Sequence, residues 1–267
     1  MKYAFIIALA IIFSSCTGYA AEPLVIVTGP KTGTYYAFGR DMADVAAKAG
    51  VELEIKSSEG SIDNIKRINS SEKSGLGIVQ SDVLGFLSRS KNPESIKIAS
   101  RLRMVFPFYN EEVHVLARKS IKQFSDLEGK KIAIGEDGSG NMLTSVNLFA
   151  MMNIIPKEAL KVPPAQGIVA VLKGEADAAV FVGGKPVRLF KNLEDLTLPE
   201  NRKYAAMLAN VHFIPLDNPK MLEEYKPAEI TPADYRFVSE NVATISVQAV
   251  MVDFDFSGNG KERCSQL

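Results

Sequence analysis

The chain has 267 residues, and its 31 basic and 31 acidic side chains cancel to a formal charge of zero. That balance leaves no basic stripe for nucleic acid and no polybasic cluster to hold a membrane surface. His114 and His212 are its only histidines, and neither has a second ligand at helical spacing, so no metal site is expected and both read as structural or exposed side chains.

At the start, Lys2, an apolar stretch over residues 4–13 and the small residues around Gly18-Tyr19-Ala20 read as a signal peptide covering residues 1–20. A helix needs about 20 apolar residues to span a bilayer, so an exported, periplasmic protein is expected. Ser14-Ser15-Cys16 offers a second outcome, a lipid anchor at Cys16. With cleavage after Ala20, Cys264 is the remaining cysteine and no intrachain disulfide can form.

Residues 24–28 are short and β-branched, as a buried strand is. A loop ending in Gly33-Thr34-Tyr35-Tyr36 opens a helix over residues 35–48, with Phe38, Met42 and Val45 at helical spacing and Gly50 as its stop. Residues 51–56 alternate as a half-buried strand. Ser57-Ser58-Glu59-Gly60-Ser61 then leads to a helix marked by Ile62, Ile65 and Ile68. A strand over 75–79, a short helix over 83–87 and strands over 96–99 and 113–118 follow. The second half replays this order: a strand over 131–135, a Gly-rich loop, a helix over 141–152, an extended segment at 159–162, a helix around 168–172 and a strand over 178–182. Such alternation implies an α/β fold with mainly parallel sheets. The matching order and spacing imply an internal pseudo-repeat, hence two lobes.

The loops before residue 35 and before residue 141 share one design, an apolar run leading through small residues into a helix start. The first turn of a helix carries unpaired N–H groups and a positive dipole end, and small residues let an anion reach them. Two such loops suggest two lobes gripping an anionic ligand.

Gly33-Thr34-Tyr35-Tyr36, residues 58–64, Gly77-Ile78-Val79-Gln80-Ser81-Asp82 and Val113-His114-Val115-Leu116-Ala117-Arg118 occur in one order. Asp126-Leu127-Glu128-Gly129-Lys130, Gly138-Ser139-Gly140 and Gly174-Glu175-Ala176-Asp177-Ala178 continue it. Together they resemble the TAXI family of TRAP-transporter solute receptors, over nearly all the mature chain. The resemblance implies a type II periplasmic-binding-protein fold, with residues 21–112 and a return segment 246–267 as lobe 1 and residues 113–245 as lobe 2. It also implies a small anionic solute as ligand (glutamate, glutamine or a related acid), a membrane-embedded TRAP permease as partner, a monomer, and no cofactor or catalysis. Residues 257–267 are polar and unlike the family, which continues further. A C-terminally truncated member would expose apolar surface on lobe 1.

On this reading Gly33, Thr34, Tyr35 and Tyr36 bind one end of the ligand, the Tyr pair alternatively packing a helix start. Ser58, Ser61 and Asn64 open the next helix, as ligand donors or plain caps. Gln80, Ser81 and Asp82 follow a buried strand, where α/β folds place ligand contacts. Asp82 pairs with a ligand ammonium or caps its helix. Ser139, Gly140 and Asn141 form the second cradle, and Gly183, Gly184 and Lys185 end a strand facing the cleft, Lys185 as a cation or a surface charge. An importer of the ABC class would use the same fold. An enzyme is the alternative from another class, but Ser139 is not in a Gly-x-Ser-x-Gly elbow and no P-loop occurs.

Overall fold

A computed structural model describes residues 23–31, 33–70, 75–198 and 202–255. The expected signal peptide, Cys16, Cys264 and the polar segment 257–267 lie outside the described residues. Two long strands, β4 (Leu102–Arg118) and β10 (Val242–Phe254), run antiparallel, with Phe254 opposite Leu102 and Ser246 opposite Glu112. On the outer side of β10 lie β3 (Leu76–Gln80), β1 (Leu24–Val27) and β2 (Leu53–Lys56). On the outer side of β4 lie β7 (Ala178–Gly183), β5 (Lys131–Ala133) and β6 (Glu158–Leu160). The order β2-β1-β3-β10-β4-β7-β5-β6 reads alike from both ends. In each half the first strand lies between the second and the third, all parallel, and an antiparallel strand closes the trio.

This arrangement matches the pseudo-repeat, but the centre is antiparallel where mainly parallel sheets were expected. The expected lobe limits at residues 112 and 246 fall inside β4 and β10, at positions that are register partners. Gln80 ends β3 opposite Ala249, and Gly183 ends β7 opposite Glu112. Because β7 and β3 run in opposite senses, their carboxyl ends point at each other across one seam.

Helices cover the halves through apolar stripes. Ile65 and Ile68 of α2 (Ser61–Asn69) bury against Val27 and Val79, and Leu148 and Phe149 of α5 (Gly140–Met152) join the second core. The first half also holds α1 (Thr34–Lys48), α3 (Ser81–Arg89) and α4 (Pro93–Arg101). The second adds α6 (Pro164–Lys173), α7 (Arg188–Lys191), α8 (Arg202–Ala209), β8 (Val211–Phe213), α9 (Pro219–Leu222) and β9 (Lys226–Ile230).

Residues 96–99, expected as a strand, belong to α4. The Asn92 side chain accepts from the Glu94 N–H, and Pro93 occupies the first turn. A cap with proline behind it starts a helix more strongly than four residues of weak apolar character start a strand. Strand β4 begins at Leu102 rather than at 113. Met104, Val105 and Phe106 are more than half exposed there, on an edge that β7 pairs only from Glu112 onward. No helix among the described residues is long and apolar enough to cross a membrane.

His114 lies fully buried on β4 among Phe181, Phe190, Phe213 and Tyr235. Its Nδ1 lies 2.9 Å from the Glu112 carbonyl and its Nε2 2.9 Å from the Tyr235 hydroxyl, which accepts from the Val187 N–H. These contacts are all satisfied by the neutral tautomer with the proton on Nδ1. Burial lowers its pKa to about 4. The unfolded chain therefore binds this proton more readily, and stability is lost as pH falls from the ordinary histidine value toward 4. Urea unfolding at pH 7 and pH 4.5 should show the wild type losing about 2 kcal/mol more than His114→Phe over that interval. Equal losses would contradict this account.

Candidate functional site

At the first loop the Gly33 N–H donates to the Pro30 carbonyl at 2.7 Å, closing the turn before α1. Thr34 is exposed and Tyr36 half-buried. Tyr35 alone among them reaches the crossing strands, donating its hydroxyl to Glu111 Oε2 at 2.7 Å. The Ser58 hydroxyl donates to Asn64 Oδ1 at 2.5 Å, and Asn64 Nδ2 donates to the carbonyls of Thr28 and Ile78. This clamp ties the residue after β1 to the middle of β3, so both side chains serve the fold. Ser61 Oγ accepts from the Gln80 N–H at 3.1 Å.

The second loop is as fully committed. Ser139 caps α5, accepting from the Met142 N–H at 3.1 Å and donating to the Glu136 carbonyl at 2.7 Å. Its proton therefore goes to a carbonyl rather than to a base, unlike an activated nucleophile. Asn141 Oδ1 accepts from the Val182 N–H at 2.9 Å, fastening α5 to the end of β7. Gly184 packs on the Tyr109 ring and Gly183 on the Phe181 ring. The Lys185 N–H donates to Glu112 Oε2 at 3.1 Å, while its ammonium is held by Asp234 at 3.0 Å and by the Glu229 carbonyl. The cation expected to meet a ligand is thus an ion-pair partner within its own half.

Between the halves the cradles touch. The Ile62 N–H donates to the Gly138 carbonyl at 3.1 Å, joining α2 to the second loop. Gly140 lies so close to Gln80 that a Cβ there would sit 1.7 Å from Gln80 Oε1. One turn along α5, Thr144 Oγ1 donates to Asp82 Oδ2 at 2.7 Å, and the Tyr225 hydroxyl approaches the same oxygen at 3.3 Å. Ser81 Oγ accepts from the Gln248 N–H of β10, and Arg89 pairs with Glu224 at 2.9 Å. A cavity of about 230 Å³ remains beside this seam, bounded by Ser81, Asp82, Arg89, Tyr225, Lys226 and Gln248.

The seam is rich in buried polar atoms. Gln80 Oε1, Asp82 Oδ1 and the Tyr109 hydroxyl are buried without a hydrogen-bond partner among the described residues. Glu111 is only 3% exposed. Burial pushes its pKa up to about 8 against the Tyr35 hydrogen bond, and the like charges of Asp82 and Glu112 push the same way. Burial also raises Asp82, opposed by the Thr144 and Tyr225 hydroxyls, and it drives Tyr35 and Tyr109 well above the usual phenol range.

Tyr109, Glu111, Thr144 and Tyr225 were not among the expected residues. The adjacent acids Glu111-Glu112, running directly into the apolar stretch from Val113, were the one signal that pointed there.

A sequence model of the NMT1-like family matches residues 26–254. Among solved structures, the ligand-binding core of GluR0 from Nostoc punctiforme, in complex with L-glutamate, is 17% identical with a TM-score of 0.51, over 91% of this chain and 89% of that one. The regulatory domain of CcmR from Synechocystis PCC6803, in complex with 2-PG, is 17% identical with a TM-score of 0.50, over 91% and 92%. An ancestral arginine-binding protein bound to arginine is 15% identical with a TM-score of 0.50, over 91% and 88%. The shared architecture is the type II periplasmic-binding-protein fold, an α/β design of two lobes with a cleft between them.

The contact of Gly140 with Gln80 yields a direct check on the seam. Gly140→Ala should destabilise the closed arrangement by about 1–3 kcal/mol through overpacking and enlarge the radius of gyration in solution scattering. Adding Gln80→Ala should restore the compact form. A Gly140→Ala chain with unchanged scattering and stability would show that the halves do not close in this register.

Proposed function

Because the chain belongs to the NMT1-like family, we propose that it is an extracytoplasmic solute-binding receptor for a small carboxylate such as glutamate, glutamine or a dicarboxylate. In this reading residues 21–112 with the return segment 246–267 act as one lobe, residues 113–245 as the other, and β4 and β10 as the hinge. A signal peptide over residues 1–20 exports the chain to the periplasm, and Cys16 offers lipid anchoring. The receptor works without catalysis and delivers its solute to a TRAP-type permease. The ordered motifs from Gly33 to Ala178 support that partner, and the glutamate and arginine bound by its fold relatives support the ligand class.

The observation that carries the reading is the seam. Two pseudo-repeated halves bring the carboxyl ends of β3 and β7, and the starts of α2, α3 and α5, to one place, linked by two crossing strands. A solute held by both halves stabilises the closed state by as much as its affinity for that state exceeds its affinity for the open one. The halves already meet through few polar contacts, so a ligand that replaces them need offset only those.

Thermal unfolding of the mature chain against amino acids and dicarboxylates tests the receptor reading. A bound ligand at a hundredfold excess over its Kd adds about 2.7 kcal/mol, a rise of roughly 5–10 °C for a chain of this size. No shift with any small acid would refute the ligand class. Uptake into vesicles carrying a TRAP permease should depend on this chain and on an ion gradient; a requirement for ATP would assign the ABC class instead.

A further inference from the structure

Helix α5 packs into both halves. Leu148 and Phe149 lie in the core of the second half, and Asn141 Oδ1 fastens the helix to β7 through the Val182 N–H. Nearer its start, Leu143 is 4% exposed and lies in the core of the first half, with Ile65 of α2, Val79 of β3 and Val83 of α3. Among the described residues it is the one buried member of that core drawn from residues 113–245. Thr144, its neighbour, is fully buried and donates its hydroxyl proton to Asp82 Oδ2 at 2.7 Å.

We propose that α5 is a latch between the halves. Leu143 is an apolar peg in the first half, Thr144 a polar pin on Asp82, and together they hold the seam shut through contacts internal to the chain. The latch goes beyond the receptor reading, because it concerns the closed arrangement itself rather than what the seam binds.

Opening the seam carries Leu143 from an apolar core into water, since Leu148, Phe149 and Asn141 keep α5 with the second half. Burying a leucine side chain favours the buried arrangement by roughly 10- to 100-fold. A hydrogen bond to a carboxylate adds roughly another tenfold. Asp82 Oδ2 accepts from the Thr144 hydroxyl and faces the Tyr225 hydroxyl at 3.3 Å, so both hydroxyls come from the second half. The Arg89–Glu224 pair also crosses the seam, but it is solvent-exposed and adds little. Asp82, Gly85 and Arg89 recur at helical spacing along α3 and border the cavity of about 230 Å³, with Glu224 and Tyr225 across it. That side of the seam is open space rather than packing, so peg and pin carry the closure there.

The Ile62 amide reads the latch directly. It stands in the first turn of α2, where N–H groups have no partner within the helix, and it donates to the Gly138 carbonyl across the seam. Hydrogen exchange followed by NMR on the mature chain, with no solute added, should show this amide protected at least about 100-fold. Leu143→Ala and Thr144→Val should each speed its exchange by about tenfold or more, while amides of the β1 and β5 ladders keep their wild-type rates. The radius of gyration in solution scattering should grow in both variants. Val171→Ala, in the other core of the second half, is the control and should leave Ile62 at its wild-type rate. An Ile62 amide that exchanges freely in the wild type, or at the wild-type rate in either folded variant, would overturn the latch. So would exchange that rises equally along both ladders, because Leu143 would then be an ordinary core residue. Should Leu143→Ala fail to fold, Thr144→Val, which keeps the shape of the side chain, decides alone. No solute enters these measurements, so the receptor reading stands or falls separately on the thermal shift.

Discussion

At Glu111 and Glu112 the backbone of β4 passes from one half of the sheet to the other, opposite Val247 and Ser246 of β10. The pairing of these two strands is the constraint on which the remaining architecture depends. Buried backbone N–H and C=O groups must find partners, and β10 satisfies its own with β4 on one side and β3 on the other, while β4 exchanges its outer edge for β7 from Glu112 onward. Both strands therefore stay extended through the crossing. The two parallel trios hang from opposite edges of this pair in opposite senses, which turns their carboxyl ends toward each other. Of the helices that follow those ends, α2, α3 and α5 start at the seam for the same reason.

The seam carries a polar load that the rest of the core avoids. Elsewhere among the described residues, Asn147 Nδ2 on α5 aside, the buried polar side chains are matched, as in the clamp of Ser58 and Asn64 on Thr28 and Ile78, or in the chain Val187 to Tyr235 to His114 to Glu112. At the seam, the charges of Asp82 and Glu112 add to burial in raising Glu111, and buried polar atoms remain without partners among the described residues. The described residues thus leave a localised set of polar atoms unmatched where the two halves meet, a departure from the pairing found in the rest of the core.

How much of this was legible in the chain depends on whether the signal was local. Strand and helix periods along the first copy and the second were readable because each unit buries one face, and a buried face imposes its period on the sequence. Gln80, Ser81 and Asp82 were readable as a strand end opening a helix. The roles of Asn64 and Asn141 were not, because one amide suits a ligand and a backbone group equally, and only the neighbouring strands decide which it meets. Asn64 meets the carbonyls of Thr28 and Ile78, and Asn141 meets the Val182 N–H, whereas Ser139 meets only Glu136 and Met142 of its own loop and helix start. Lys185 likewise reads as a free cation until Asp234, far along the chain, is placed beside it. The region from Arg188 to Asn241 offered no clear period, since its elements are short and packed around the second half rather than forming a face of their own.

The amino-acid order by itself determined the two α/β units, their repetition and the small-residue loops at the helix starts, because local sterics and burial periodicity act over a few residues. Tertiary structure decided what those loops do. It set the cradles against each other, turned most of their side chains to the fold, and buried Glu111 against Tyr35 at the crossing of β4 and β10. Contacts between residues so distant in sequence are fixed by strand pairing and register, which no local pattern records.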